Sequence, residues 1–137
     1  NIAPQPIEAQ LQTSSYIEQI MIIGEKRNYI SALIVPNFEM FRVELGLDEQ
    51  SPPPTTDKIA EHPEVFKIID SEIQRLSTDL AQFERVRKFS LLGNEFCIES
   101  GELTPSLKIK RGYILEKYNS IIEGMYLTSD HKDRKKN

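Results

Sequence analysis

The segment Leu103–Arg111 carries the side chains of this chain that are best suited to chemistry. It places Lys108 in a short loop closed by a proline, with Lys110 and Arg111 directly behind it. A lysine ammonium is a compact positive charge with three donors, and an arginine guanidinium binds carboxylates and phosphates through two parallel hydrogen bonds. The spacing therefore predicts a local site for an anionic partner.

The composition limits the partners and sites that we expect. The 137 residues with 39% hydrophobic content suit one domain with a modest core, and no apolar run is long enough to span a bilayer. A net charge of −4 argues against a nucleic-acid partner. The single cysteine, Cys97, excludes an internal disulfide, and with only His62 and His131 in the chain no metal site is expected. One cysteine also fits a reducing compartment, so we expect a cytoplasmic location.

Two apolar runs near the amino terminus predict a β-hairpin. Residues 16–23 and 29–35 are rich in β-branched and aromatic side chains, and the turn-forming residues 24–28 separate them. Both runs are almost continuously apolar, which is typical of strands covered on both faces. Before them, residues 7–12 are predicted to form a short helix.

Two further helices are predicted on either side of a proline-rich loop at residues 51–56. Asn37 is a suitable N-cap for a helix over 38–45, which Gly46 would end. Pro63 suits the first position of a longer helix. Its expected apolar stripe has steps of three and four residues and comprises Phe66, Ile69, Ile73, Leu76, Leu80 and Phe83.

The rest of the chain predicts a third strand and a final helix. Residues 89–92 form the strand, and a helical spacing of apolar residues follows at Ile114, Tyr118, Ile121 and Met125. Residues 129–137 form a polar, basic tail that we expect to be disordered. The fold class is therefore α+β, with a small sheet of a β-hairpin plus a third strand packed with helices.

Several patterns of a self-sufficient enzyme are missing from the sequence. It has no glycine-rich phosphate loop, no Ser-His-Asp arrangement and no pair of carboxylates in a recognisable pocket. We therefore do not expect a complete active site within these residues.

Four blocks of sequence, in order along the chain, are similar to one known family. Residues 1–8, 16–20, 29–36 and 101–111 resemble the carboxyl-terminal subdomain of long-chain acyl-CoA synthetases, members of the adenylate-forming superfamily. The resemblance implies that residues 1–128 are this lid subdomain. The family's large amino-terminal adenylation domain has no counterpart in these residues.

The resemblance implies a two-step ligase that uses ATP, coenzyme A and Mg²⁺. A fatty acid attacks the α-phosphate of ATP to give an acyl adenylate, and coenzyme A then displaces AMP to give the thioester. In this family the small domain is a mobile lid over the amino-terminal adenylation domain, which lies in the same polypeptide. We expect these residues alone to be inactive and to bind none of the cofactors tightly. Peripheral membrane association is considered for the full-length enzyme only.

The resemblance assigns the catalytic role to Lys108, which aligns with the lysine that serves acyl-adenylate formation. Leu107 replaces the glycine that usually precedes this lysine, as is common in the long-chain branch, so the loop is expected to bend less freely. Without the resemblance, Lys108 would be taken as one more solvated surface lysine.

Other family positions have weaker implications. Arg111 would contact a phosphate or the other domain, and Lys110 would be a solvated flank. Lys26 and Arg27 would meet the nucleotide end of coenzyme A, although charged turn residues commonly serve solubility alone. The backbone of Ile2 and Ala3 would line the pantetheine path. For Glu8, a structural role in first-turn charge or in a domain contact is expected instead of chemistry. Two further residues have ordinary explanations, Cys97 as a small buried hydrophobe and His62 as a capping or surface residue.

One alternative of a different class remains open at this point. The chain could be a free-standing binding or interaction module that has kept the fold and lost the chemistry. Medium-chain and acyl-carrier-protein ligases are near alternatives within the enzyme class, because the acyl chain length is read by the other domain.

Overall fold

The computed structural model describes residues 2–127, in two compact units divided after Glu95. The predicted tail at residues 129–137 lies outside the described residues, as does Asn1. The first unit contains α1 (Pro4–Leu11), β1 (Ile17–Ile23), β2 (Ile30–Pro36), α2 (Phe38–Glu44), α3 (Thr56–Ala60), α4 (Pro63–Leu76) and β3 (Val86–Leu91). The second unit contains α5 (Arg111–Lys117) and α6 (Asn119–Leu127).

The three strands form one sheet in the order β1-β2-β3. β1 and β2 are the predicted antiparallel hairpin, in which Ile22 pairs with Ala32. β3 runs parallel to β2, which is possible because the helices between them supply the long crossover that parallel strands need. All seven residues of β2 are buried, so the prediction of strands covered on both faces is confirmed for the central strand. The predicted α+β fold is confirmed.

The core of the first unit is rich in isoleucine. Its buried cluster contains Ile7, Leu11, Ile17, Ile20, Ile22, Ile30, Ala32, Ile34, Phe41, Leu47, Ile59, Val65, Ile69, Ile73 and Val86. Branched side chains of this kind pack well on the pleated surface of a sheet, which explains why β1 and β2 are the strands most easily recognised in the sequence.

Helix α1 packs on β1 and supplies a polar contact at this edge of the sheet. Glu8 is buried, and its carboxylate accepts a 2.7 Å hydrogen bond from the backbone amide of Ile22. Glu8 therefore has a structural role, but it acts through this bond to β1 and not through the first turn of α1, which contains no acidic residue. The helix begins at Pro4, three residues before the predicted start, because proline is tolerated in the first helical turn.

Two predicted helix boundaries are confirmed by their capping contacts. The Asn37 side chain accepts a 3.1 Å hydrogen bond from the amide of Met40, and Gly46 follows α2 with a φ of 61°. Nδ1 of His62 accepts a 3.1 Å hydrogen bond from the amide of Glu64, so the predicted capping role of His62 is also confirmed.

The predicted stripe of the long helix is wrong in part. Helix α4 ends at Leu76, where the Ser77 hydroxyl donates to the carbonyl of Ile73, so Leu80 and Phe83 lie beyond it. Its buried residues are Val65, Ile69 and Ile73, spaced by four. Phe66 lies one position away from that row, is 48% exposed and stacks on Phe89 at 4.4 Å between ring centroids.

Two other boundaries also differ from the sequence prediction. Strand β3 starts at Val86, three residues before the predicted start. The prediction missed its first half because the charged Arg87 and Lys88 interrupt the apolar pattern there. The predicted final helix is divided into α5 and α6 at Tyr118. Ile121 is 41% exposed, and the neighbouring Ile122 is buried in its place.

Candidate functional site

The segment that carries Lys108 is a small closed loop, which we call the lysine loop (Leu103–Ile109). Leu103 and Ile109 form an antiparallel β-bridge at its base, and the Lys110 amide donates a 2.8 Å hydrogen bond to the Glu102 carbonyl. Pro105 lies within its tight turn, where its fixed φ is favourable. Main-chain contacts between the residues that enter the loop and those that leave it therefore close it at its base.

Thr104 fixes the backbone at Lys108. The Thr104 amide donates to the Lys108 carbonyl at 2.8 Å, and the Lys108 amide donates to the Thr104 hydroxyl at 3.0 Å. The Leu107 amide donates to the Thr104 carbonyl at 2.8 Å and completes the turn. These contacts hold the main chain of Lys108 while they leave its side chain unrestrained.

Leu107 adopts a backbone conformation that favours glycine. Its φ is 67°, in the left-handed region that a leucine rarely occupies. The side chain is 66% exposed and contributes little packing. Leucine at this position therefore adopts the left-handed conformation at the expense of backbone strain.

The ammonium of Lys108 is exposed to solvent. Among residues 2–127, no carboxylate pairs with it and no acceptor binds it. A group in this position can approach an anion outside the chain without first breaking an internal ion pair.

The two other cations of the segment lie at the start of α5. Arg111 is the first residue of the helix and is half-buried. Lys110 is the N-cap, and its Nζ lies 5.7 Å from the ring centroid of Tyr113, a cation–π contact. Lys110 is therefore exposed but held over a ring of its own helix.

Glu102, at the base of the lysine loop, is a buried carboxylate that the sequence prediction missed. Its side chain is 2% exposed. It accepts hydrogen bonds from the Ser100 hydroxyl, the Cys97 amide at 3.1 Å, the Lys117 ammonium at 2.9 Å and the Tyr118 hydroxyl at 3.0 Å. Lys117 and Tyr118, at the end of α5, are 15 and 16 residues away in sequence, so no local sequence pattern indicates this network.

The network lowers the pKa of Glu102 and raises the pKa of Tyr118. Burial raises the pKa of Glu102, but hydrogen bonds from Ser100, Lys117 and the neighbouring donors outweigh it, and the net pKa lies below the ordinary value. Burial and the Glu102 carboxylate raise the pKa of Tyr118 to about 12. Glu102 is therefore ionised and Tyr118 is neutral at pH 7.

The other four predicted site residues belong to the first unit. The Arg27 amide donates to the Gly24 carbonyl at 3.1 Å, and the exposed Lys26 has a φ of 60° within the same turn. Ile2 packs so closely on this turn that a Cβ on Gly24 would lie 2.7 Å from its Cδ1. Ala3 is the exposed N-cap residue of α1. The structure thus brings Ile2 to the hairpin turn, whereas Lys108 and Arg111 belong to the second unit.

The expectation that Cys97 is a small buried hydrophobe is wrong. Cys97 is half-buried, and its Sγ lies 3.0 Å from the Ser100 hydroxyl. Its amide donates to the Glu102 carboxylate. Cys97 therefore belongs to the polar surroundings of Glu102.

Within residues 2–127, no three or more His, Cys, Asp or Glu side chains are grouped to hold a metal ion. The same residues contain no helix with the length and apolar character needed to cross a bilayer.

Comparisons with known proteins agree on one family. Residues 1–130 match the family model of the AMP-binding enzyme C-terminal domain. The chain is 31% identical over 126 residues to a long-chain-fatty-acid–CoA ligase, FadD15, of Mycobacterium tuberculosis, covering 92% of this chain and 21% of the ligase. It is also 31% identical to the chloroplastic long-chain-fatty-acid–[acyl-carrier-protein] ligase AEE15 of Arabidopsis thaliana, covering 92% of this chain and 15% of that ligase. The chain thus spans about a fifth or less of the length of these curated relatives.

Solved structures show the same fold. The A-PCP didomain of a carboxylic acid reductase from Segniliparus rugosus, solved with AMP, matches with a TM-score of 0.72 at 24% identity, over 92% of this chain and 16% of that one. The adenylation domain of a carboxylate reductase from Mycobacterium chelonae matches with a TM-score of 0.71 at 24% identity, over 90% of this chain and 18% of that one. In both, the matching fold is part of a much larger chain.

Proposed function

Because the chain belongs to the family of AMP-binding enzyme C-terminal domains, we propose that it is the mobile lid subdomain of an ATP-dependent long-chain fatty acid–CoA ligase. The reaction converts fatty acid, ATP and coenzyme A to acyl-CoA, AMP and diphosphate. Support comes from relatives that are named as long-chain-fatty-acid–CoA ligases. The partner of the lid is the amino-terminal adenylation domain of the same polypeptide, which would bind the fatty acid.

The observation that carries the proposal is the state of Lys108. Its ammonium is exposed, and no partner among the described residues neutralises it, while the Thr104 contacts hold its main chain. A fixed backbone with an unpaired charge suits a group that acts on an anion supplied by another domain. Exposure alone would fit any solvated lysine, so it is the relatives named as ligases that favour this proposal over a free-standing module.

In the first half-reaction, Lys108 would act by electrostatic stabilisation. Negative charge increases around the α-phosphate as the fatty-acid carboxylate approaches it, and an ammonium placed there lowers the barrier because it is already oriented. Loss of such a donor typically reduces the rate by about 100–1000-fold. The task is neutralisation of charge, so this role needs no proton transfer from Lys108.

In the second half-reaction, the other predicted residues would contact coenzyme A. Lys26 and Arg27, in the hairpin turn, would bind phosphates of its nucleotide end, and the backbone of Ile2 and Ala3 would line the path of the pantetheine. Ile2 already lies against this turn, which supports a joint role. Arg111 would contact a phosphate or the adenylation domain.

The Mg²⁺ that assists adenylation is not expected to be held by this chain. The residues between Ile2 and Leu127 do not fit a metal site, since they offer no group of three suitable ligands. The described residues of this chain therefore act without a metal of their own.

We further propose a cytoplasmic location, with any membrane contact limited to the periphery of the full-length enzyme.

A ligase that transfers the acyl group to a related acceptor is the second candidate function. The relative AEE15 is named as a ligase for acyl-carrier protein, so the thiol that receives the acyl group could belong to that protein instead of coenzyme A. The role of Lys108 is the same in both cases, because both acceptors react with an acyl adenylate.

An assay of the longer polypeptide that joins this chain to an adenylation domain would test the proposal. Carboxylic acids of increasing length are supplied with ATP and either coenzyme A or acyl-carrier protein. We expect diphosphate release and acyl-CoA formation with long-chain acids. Turnover with acyl-carrier protein alone would favour the second candidate, and absence of AMP-forming activity with every acid would contradict both.

A further inference from the structure

Glu102 joins the segment before the lysine loop to the helix that follows it. The Ser100 hydroxyl and the Cys97 amide donate to its carboxylate, and so do Lys117 of α5 and Tyr118, the C-cap of that helix. A carboxylate that is 2% exposed is strongly unfavourable without such donors. Its burial therefore requires α5 to stay where its donors reach Glu102.

The main chain of Glu102 also determines the position of the loop. Its carbonyl accepts the 2.8 Å hydrogen bond from the Lys110 amide. The next residue, Leu103, pairs with Ile109 in the β-bridge. Any displacement of Glu102 would consequently move both ends of the segment that carries Lys108.

A second contact supports the same base. Gly101 has a φ of 88°, and a Cβ placed on it would lie 3.0 Å from the Tyr113 ring. Lys110 covers that ring with its ammonium at 5.7 Å. The turn before Glu102 is thus packed on the first turn of α5, next to the loop base.

We propose that Glu102 is a positioning residue for acyl-adenylate formation, which fixes the base of the lysine loop against α5 so that Lys108 approaches the phosphate in one orientation. This inference rests on the proposed function of Lys108. Glu102 itself touches no substrate in this scheme. An error of about 1 Å in the placement of a catalytic group can reduce the rate about 100-fold, which is the scale of effect expected.

The first test variant is Glu102→Gln in the longer polypeptide. Glutamine keeps the size of the side chain but loses the charge that binds Lys117. We expect kcat for acyl-adenylate formation to fall about 10–100-fold, with KM values for ATP and fatty acid within about threefold of the parent. Thioester formation from supplied acyl adenylate should be retained.

A second variant and a second measurement separate positioning from folding. Lys117→Met removes the same ion pair from its partner, a side chain that is 36% exposed, and leaves Glu102 with the donors from Ser100, Cys97 and Tyr118. Glu116→Gln, at an exposed position of the same helix, is the matched control. Hydrogen exchange should show faster exchange of the Thr104 and Lys110 amides in both test variants, with the β2 amides still protected as in the parent.

The outcomes distinguish this inference from the proposed function. Equal loss of both half-reactions, or unchanged exchange at Thr104 and Lys110, would overturn the positioning role. If Lys108→Ala abolishes adenylation while Glu102→Gln and Lys117→Met keep full activity, the role of Glu102 alone is overturned. If Lys108→Ala keeps full adenylation, the proposed function is overturned and the role of Glu102 with it.

Discussion

Thr104 and Lys108 are joined by two hydrogen bonds in opposite directions, at 2.8 Å from the Thr104 amide and at 3.0 Å to the Thr104 hydroxyl. This pair closes the turn from both sides and places the strained Leu107 between its members. The main chain of the proposed catalytic lysine is thus held locally, by residues of its own loop.

Relief of the strain at Leu107 is the first prediction. A left-handed backbone costs a leucine about 1–2 kcal/mol, whereas glycine loses about 0.5–1 kcal/mol through the entropy of the unfolded chain. We expect Leu107→Gly to raise the free energy of unfolding by up to about 1 kcal/mol, measured by urea denaturation. Leu107→Ala keeps the strained backbone and should give no gain. A stability loss of more than about 1 kcal/mol in Leu107→Gly would contradict this account of the turn.

Two glycines should respond in opposite ways to alanine. Gly101 has a positive φ and lies against Tyr113, so Gly101→Ala should reduce the free energy of unfolding by about 1–3 kcal/mol. Gly124 lies in α6 with nothing within 4 Å of an added Cβ, and Gly124→Ala should increase stability by about 0.5–1 kcal/mol. Denaturant titration of both variants checks this contrast, which similar effects at the two positions would refute.

The acid stability of the chain should depend on Glu102. Its pKa is lower in the folded state than in the unfolded state, because the donors around it outweigh the effect of burial. Such a group stabilises the fold at neutral pH, and this contribution starts to be lost as the pH falls below about 4.3. The stability difference between the parent and Glu102→Gln should therefore shrink between pH 7 and pH 3. A difference that stays constant over this range would be inconsistent with the lowered pKa, and Glu99→Gln, at an exposed neighbouring position, is the control.

Substitutions in the turn between β1 and β2 should affect only the second half-reaction, the transfer to coenzyme A. Lys26→Gln and Arg27→Gln each remove a proposed contact with a phosphate of coenzyme A, so KM for coenzyme A should rise roughly 5–10-fold. KM for ATP should stay unchanged in the same variants. Lys67→Gln, at an exposed position on α4, is the matched control for loss of one positive charge. An unchanged KM for coenzyme A in both turn variants would remove these residues from the proposed site.

The sequence was informative wherever the physical signal is local. The hairpin follows from two dense apolar runs, and the caps at Asn37 and His62 follow from residue types next to helix starts. Lys108 was found through a motif, and its exposure fits the assignment. Local signals could not reveal Glu102, whose donors Lys117 and Tyr118 are brought to it only by the fold. The same limitation explains the long-helix error, because Phe66 and Val65 are adjacent in sequence and only packing determines which one is buried.

The half-reactions of Lys108→Ala, measured in the longer polypeptide, test the central claim most directly. Acyl-adenylate formation, followed as diphosphate release, should fall about 100–1000-fold, while thioester formation from supplied acyl adenylate stays within about threefold of the parent. Lys67→Ala, which removes an exposed charge from α4, should leave adenylation nearly unchanged. An equal loss of both half-reactions in Lys108→Ala, or full retention of adenylation, would contradict the role assigned to this lysine.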